Sequence, residues 1–146
     1  MEAFNLYSSL GFLLVNTSFQ AKQNLNRLFL ENGFDNTVDQ FVVLGGLLNE
    51  STTSQTELCQ RSCKNSSNLT RILTNMESKE LISRTKGNDA RNNNVSITES
   101  GLVIYKGLAP IAERYMRHVF SELTNEERSM FENILLRIRD RLDYFQ

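Results

Sequence analysis

Between Asn65 and Glu77 the chain reads NSSNLTRILTNME, and its polar side chains are of the types that read base edges and phosphates. On a helix, Leu69, Ile72, Leu73 and Met76 share one face at i, i+3, i+4 and i+7. Ser66, Ser67, Asn68, Thr70, Arg71, Thr74 and Asn75 share the other. An asparagine amide can pair with adenine through two hydrogen bonds and a guanidinium with guanine in the same way, which makes Asn68 and Arg71 the candidates for base contacts. Ser66, Ser67 and Thr70 suit phosphates or single base atoms. An ordinary solvated helix face mixes Glu with Lys. This one carries no carboxylate until Glu77 and Glu80, near its C-terminal end, as a face laid against phosphates would require.

A second group follows in Lys86-Gly-Asn-Asp-Ala-Arg-Asn-Asn93, a stretch dense in turn formers between two short alternating runs. Its shape is a hairpin whose tip presents Lys86 and Arg91, cations suited to the negative potential of a narrow minor groove. Lys64, Lys86 and Gln55 are candidates for contacts to the nucleic-acid backbone. Charge is distributed to match. Residues 59–91 carry seven basic side chains against three acidic, whereas residues 1–58 carry two against six and 92–146 seven against eight. The net charge of −1 hides this local excess, which is the footprint of a phosphate-facing surface, although such clusters are also common on plain solvated faces.

Other chemistries find little support. The chain of 146 residues has one histidine, His118, and no Gly-rich phosphate loop or conspicuous acid pair, so an enzyme is not expected. Cys59 and Cys63, four apart, lack the spacings and companions of a zinc site. They read either as small half-buried helix residues or as a redox switch. No metal or cofactor is expected. No apolar run approaches the roughly 18 residues that span a bilayer, and the opening stretch lacks the basic region and cleavage site of a signal peptide. A cytoplasmic protein without a membrane partner is the expectation.

The elements that must position these residues are mostly helices. Leu6, Leu10, Leu13, Leu14, Ala21, Leu25, Leu28 and Phe29 mark a long amphipathic helix ending near Asn32-Gly33, with apolar surface beyond one stripe. A partner chain is the economical reading of that surplus. Thr37-x-x-Gln40 has the form of a capping box before a helix expected to stop near Asn49. Gly45-Gly46 within it implies a close helix crossing. Ser54-x-x-Glu57 opens a short helix, and Asn65 is the expected N-cap of the next. Strands are expected over 81–85 and 94–98. Thr98 starts a long helix that Pro110 should kink or divide, and Thr124-x-x-Glu127 caps the last one.

This order, with QTELCQRSCKNSSNLTRILTNMESKELISR and NDARNNNVSITESG, resembles the MarR (multiple-antibiotic-resistance regulator) family of winged helix-turn-helix proteins. Leu58-Cys59 stand at the family's Leu-Ala pair. Ser67, Leu69, Thr70 and Arg71 match its recognition helix, and Leu81, Ile82 and Arg84 the close of that helix. Asp89 and Arg91 match the wing, and Ile97, Thr98 and Gly101 the strand exit. Met76 replaces the usual Leu, Glu80 the usual Gly, and the second arginine of the wing is missing. Glu80 puts the turn after the recognition helix in question, since glycine is the ordinary left-handed residue there.

The resemblance implies a mainly α fold with a small β-hairpin wing. Residues 36–99 would form the DNA-binding lobe, and residues 1–35 and 100–146 the dimerisation helices, in one compact unit. It implies a homodimeric, ligand-responsive repressor that puts two recognition helices into successive major grooves of a pseudo-palindromic operator on double-stranded DNA. Asp89 would hold Arg91 by an ion pair. A small aromatic or phenolic effector would lodge near Asn16, Phe19, Gln20, Tyr115 and His118, residues that otherwise read as aromatic core and surface. Two alternatives stay open, a redox-responsive regulator acting through Cys59 and Cys63 and a winged-helix protein adaptor that does not bind DNA.

Overall fold

A computed structural model describes residues 5–62, 65–87 and 93–142. A 3-10 turn at Leu6–Ser8 precedes α1 (Leu10–Glu31), α2 (Val38–Gly46), β1 (Thr53–Ser54), α3 (Gln55–Ser62) and α4 (Ser66–Ser78). Then come β2 (Ile82–Lys86), β3 (Asn93–Ile97), α5 (Glu99–Val119) and α6 (Asn125–Leu142). The fold is mainly α with a small antiparallel sheet, as expected. The chain divides into two compact units, Met1–Ile111 and Ala112–Gln146.

The helix starts follow the capping chemistry of the sequence. Thr37 and Gln40 form a reciprocal capping box, with the Thr37 hydroxyl accepting from the Gln40 N–H and the Gln40 side chain accepting from the Thr37 N–H. Ser54 Oγ accepts from Glu57 N at 3.2 Å, and Asn65 Oδ1 from Asn68 N at 2.8 Å. In the second unit Thr124 and Glu127 form a second reciprocal box.

Four expectations are corrected. The first helix begins at Leu10, capped by Ser9, rather than at Leu6. The second stops at Gly46 rather than near Asn49, because two consecutive glycines favour its end. Of the two outcomes expected at Pro110, a kink or a division, division does not occur, and α5 runs through it as one helix; Lys106 and Pro110 both lie exposed, so water can satisfy the carbonyl that proline leaves without a donor. The sheet has a third strand, β1, too short to show alternation, paired Thr53↔Val95 against β3. The sheet order is β1-β3-β2, and β2 pairs with β3 from Ile82↔Ile97 to Lys86↔Asn93.

The core of the first unit lies between α2, α3, α4 and the sheet. Val43, Leu44, Leu47, Leu69, Leu73, Met76 and Val95 are fully buried there. Gly45 and Gly46 make the close crossing their pairing implies. A Cβ at Gly45 would touch the Tyr105 ring at 3.4 Å, and one at Gly46 would crowd Leu58 at 3.2 Å.

The turn after α4 forms despite Glu80. The Leu81 N–H donates to Met76 O and the Glu80 N–H to Glu77 O, both at 2.9 Å. With Lys79 as C-cap this is the paired 6→1 and 5→2 closure of a Schellman motif. Glu80 sits at φ 57° to make it. α1 closes in the same way through Gly33 at φ 87°, with Phe34 N bonded to Phe29 O at 2.9 Å. An L-residue in this region costs about 1–2 kcal/mol, part of which glycine returns through the flexibility of the unfolded chain. Glu80→Gly should therefore stabilise the fold by about 1 kcal/mol and raise the melting temperature by roughly 2–4 °C, as read by thermal unfolding. A lower melting temperature would show that the Glu80 side chain holds the turn.

Candidate nucleic-acid interface

α4 divides as its periodicity requires. Leu69, Leu73 and Met76 are fully buried and Ile72 nearly so. Ser66, Ser67, Thr70, Arg71, Thr74 and Asn75 are exposed and Asn68 is half-buried. The Arg71 guanidinium donates to Asn68 Oδ1 at 3.2 Å. The two candidates for base reading are thus adjacent on one turn, each with N–H donors left over. Glu77 pairs with Arg84, and no carboxylate pairs with Arg71 among the described residues.

Arg84, on β2, donates to Glu77 through Nε at 2.9 Å and through Nη2, and also reaches Thr74 Oγ1 at 3.4 Å. This ties the wing strand to the outer end of α4. The hydrogen bonds from Arg84 hold the Glu77 carboxyl below its ordinary range, and the neighbouring positive charge adds to them. A lowered folded-state value means the pair stabilises above the ordinary glutamate pKa, about 4.3, and the contribution disappears as pH falls through the lowered value. The stability advantage of wild type over Glu77→Gln should be present at neutral pH and vanish in acid. Melting temperatures across that range check it.

Gln55 opens α3, and its amide donates to Thr70 Oγ1 at 2.8 Å, while the Thr70 hydroxyl donates to Ser66 O at 2.8 Å. Both side chains, candidates for nucleic-acid contacts by their types, also brace α3 against α4. Lys86 is exposed at the end of β2. Lys64, Asp89 and Arg91 lie outside the described residues, as does Cys63. Cys59 is a free, half-buried thiol packed against the core. Asn16, Phe19 and Gln20 are exposed on α1 in the first unit. Tyr115 is half-buried and His118 exposed on the part of α5 that belongs to the second.

Two features gave no sequence signal. Gln40 reaches beyond its capping box to Asn75, and Arg61 reaches Glu50. Partners this far apart in the chain are set only by folding.

Within each unit some apolar surface remains uncovered. Leu10, Leu13, Val15 and Phe19 are exposed on α1, and α6 has no buried residue. In the second unit a groove of about 660 Å³ is floored by Met116, Phe120, Phe131, Leu135 and Leu136 and edged by Arg117, Arg128 and Arg139. Among the described residues no helix is long and apolar enough to cross a membrane.

The sequence matches the MarR family over residues 37–92, the stretch from the α2 cap to the wing. No curated protein matches it. Among solved structures the fold is similar to Bordetella bronchiseptica BpsR, described for regulation of its DNA binding by 6-hydroxynicotinic acid. The TM-score is 0.84 at 18% identity, covering 95% of this chain and 99% of that one. It is also similar to an E. coli MarR mutant complexed with operator DNA, with a TM-score of 0.82 at 24% identity over 94% and 99% of the two chains. A third is S. aureus MepR in complex with DNA, with a TM-score of 0.80 at 22% identity over 95% and 99%.

Proposed function

We propose that the chain is a MarR-family protein, as its match over residues 37–92 supports, and a sequence-specific, double-stranded DNA-binding transcriptional regulator acting as a homodimer in the cytoplasm. The observation that carries this reading is the outer face of α4. There Asn68 and Arg71 stand together on a helix anchored by four buried apolar residues, and no carboxylate pairs with the arginine among the described residues. Asn68 and Arg71 read base edges in the major groove. Ser66, Ser67, Thr70, Gln55, Lys64 and Lys86 contact the backbone. Arg91, steadied by Asp89, enters the minor groove from the wing.

Residues 36–99 form the DNA-binding lobe, and residues 1–35 and 100–146 form the dimer. The exposed apolar side chains of α1 and α6 support pairing of two copies. Two copies of α4 then meet half-sites about one helical turn apart on a pseudo-palindrome. The protein is a ligand-responsive repressor rather than an enzyme. Its effector is a small aromatic or phenolic molecule. BpsR responds to such a ring acid, and a Streptomyces coelicolor relative, PcaV, is known in complex with its natural ligand.

Selection of DNA from a random library by the purified dimer tests the reading. A pseudo-palindrome should emerge, with affinity falling steeply as salt rises because bound cations release phosphate counterions. Failure to enrich any sequence, together with a flat salt response, would refute it.

A further inference from the structure

Gln40 does more than cap a helix. It is 6% exposed, and both ends of its amide are engaged. Oε1 accepts from the Thr37 N–H at 3.1 Å and from Asn36 Nδ2 at 3.3 Å, while Nε2 donates to Asn75 Oδ1 at 2.7 Å. A capping box needs only the oxygen. The nitrogen reaches α4, and Asn75 lies on the same helical face as Arg71, four residues earlier, and Asn68, seven residues earlier. The turn that carries Gln40 is itself held to α1. Asn26 Oδ1 accepts from the Val38 N–H at 2.8 Å, Lys22 pairs with Asp39 at 2.8 Å, and Phe41 packs edge-on against Phe29 at 5.7 Å.

We propose that Gln40 is a positioning residue for DNA reading, a latch that sets the rotation of α4 against the α1-anchored start of α2 without touching DNA. The inference rests on α4 being the recognition helix. Apolar contacts between α2 and α4 are non-directional and tolerate small slides and rotations. A partly buried amide–amide hydrogen bond does not, because its strength falls steeply with angle. Base reading needs side chains held within about 0.5 Å and 10–20° of their productive geometry. The latch supplies that directional constraint on the side of α4 away from the wing, while Arg84 with Glu77 and Thr74 supplies it on the other.

The test measures binding of the full-length dimer to its selected operator, with salt dependence and melting temperature recorded for each variant. Gln40→Met removes every hydrogen bond of the amide. Gln40→Glu keeps the cap and the Asn36 bond, and lets Asn75 turn its amide over to donate. Asn75→Ala removes the latch from its exposed end, where folding is least at risk. Gln40→Met and Asn75→Ala should each weaken binding by about fivefold to tenfold, the worth of one hydrogen bond. Gln40→Glu should recover most of the loss. The Gln40→Met/Asn75→Ala double variant should be no weaker than the worse single one, and the salt slope should match wild type throughout.

Losses that multiply in the double variant, a reduced salt slope, or wild-type affinity in Asn75→Ala would each overturn the latch. If Gln40→Met fails to fold, Asn75→Ala and Gln40→Glu still decide. Should wild type itself bind no operator, the DNA-binding reading fails rather than the latch.

Discussion

Arg71→Ala is expected to weaken operator binding by about 2–6 kcal/mol, since a bidentate base contact is worth about 1–3 kcal/mol and a dimer makes it in both half-sites. That is roughly one and a half to four and a half orders of magnitude in affinity, read by gel shift or fluorescence anisotropy at fixed salt. Two structural facts make the variant clean. Arg71 is exposed, and its guanidinium bonds only the neighbouring Asn68 side chain among the described residues. The melting temperature should hardly change. Discrimination should relax at one position in each half-site, which separates a base contact from a phosphate contact. Lys86→Ala, by contrast, should weaken all sequences alike and lower the salt slope by about one per contact removed. An Arg71→Ala dimer that binds its operator like wild type would remove α4 from the recognition role.

The second large effect is on stability. Gly101→Ala should cost about 3 kcal/mol, the upper end of what overpacking a tight site does, and lower the melting temperature by roughly 6–12 °C. A Cβ at Gly101 would run into the carbonyl of Leu81 and come within 3.0 Å of Ile97 Cγ1. The carbonyl has little room to retreat. It accepts from Thr98 N at 3.1 Å, its own residue's N–H is bonded to Met76 O, and the Thr98 hydroxyl holds Glu80 O at 2.6 Å while accepting from Gly101 N at 3.0 Å. The substitution thus strikes the knot where the end of α4, the start of β2 and the start of α5 meet. Circular-dichroism melts check it. An unchanged melting temperature would mean that the knot is looser than its hydrogen bonds imply.

The same knot explains how Glu80 is tolerated. The missing glycine put that turn in question, yet the turn is held by Leu81 and Met76 in the core and by Thr98 from across the sheet. Tertiary contacts outweigh a local cost of about 1–2 kcal/mol, and no inspection of the local stretch alone could have found them. The tie between Arg84 and Glu77 was hidden for a similar reason. Glu77 lies six residues from Arg71 and seven from Arg84, and only the return of β2 beside α4 decides which arginine it meets. β1 has two residues and pairs with β3 some forty residues on, too short for any periodic signal.

By itself the sequence determined what depends on short separations: the caps at Ser54, Asn65, Thr37 and Thr124, the apolar stripe of α4, and the polar face opposite it with Asn68 and Arg71 one turn apart. Helical geometry converts spacings of three and four residues directly into neighbours, so these were legible before any fold was known. Only the tertiary structure decided which groups on that face are free and which are committed. Thr70 is braced by Gln55, Asn75 is held by Gln40, and among the described residues Arg71 bonds only its neighbour Asn68. Hydrogen-bond partners 15 to 35 residues apart depend on how whole helices pack, and packing is set by the buried core rather than by any pattern in the segment that carries the chemistry.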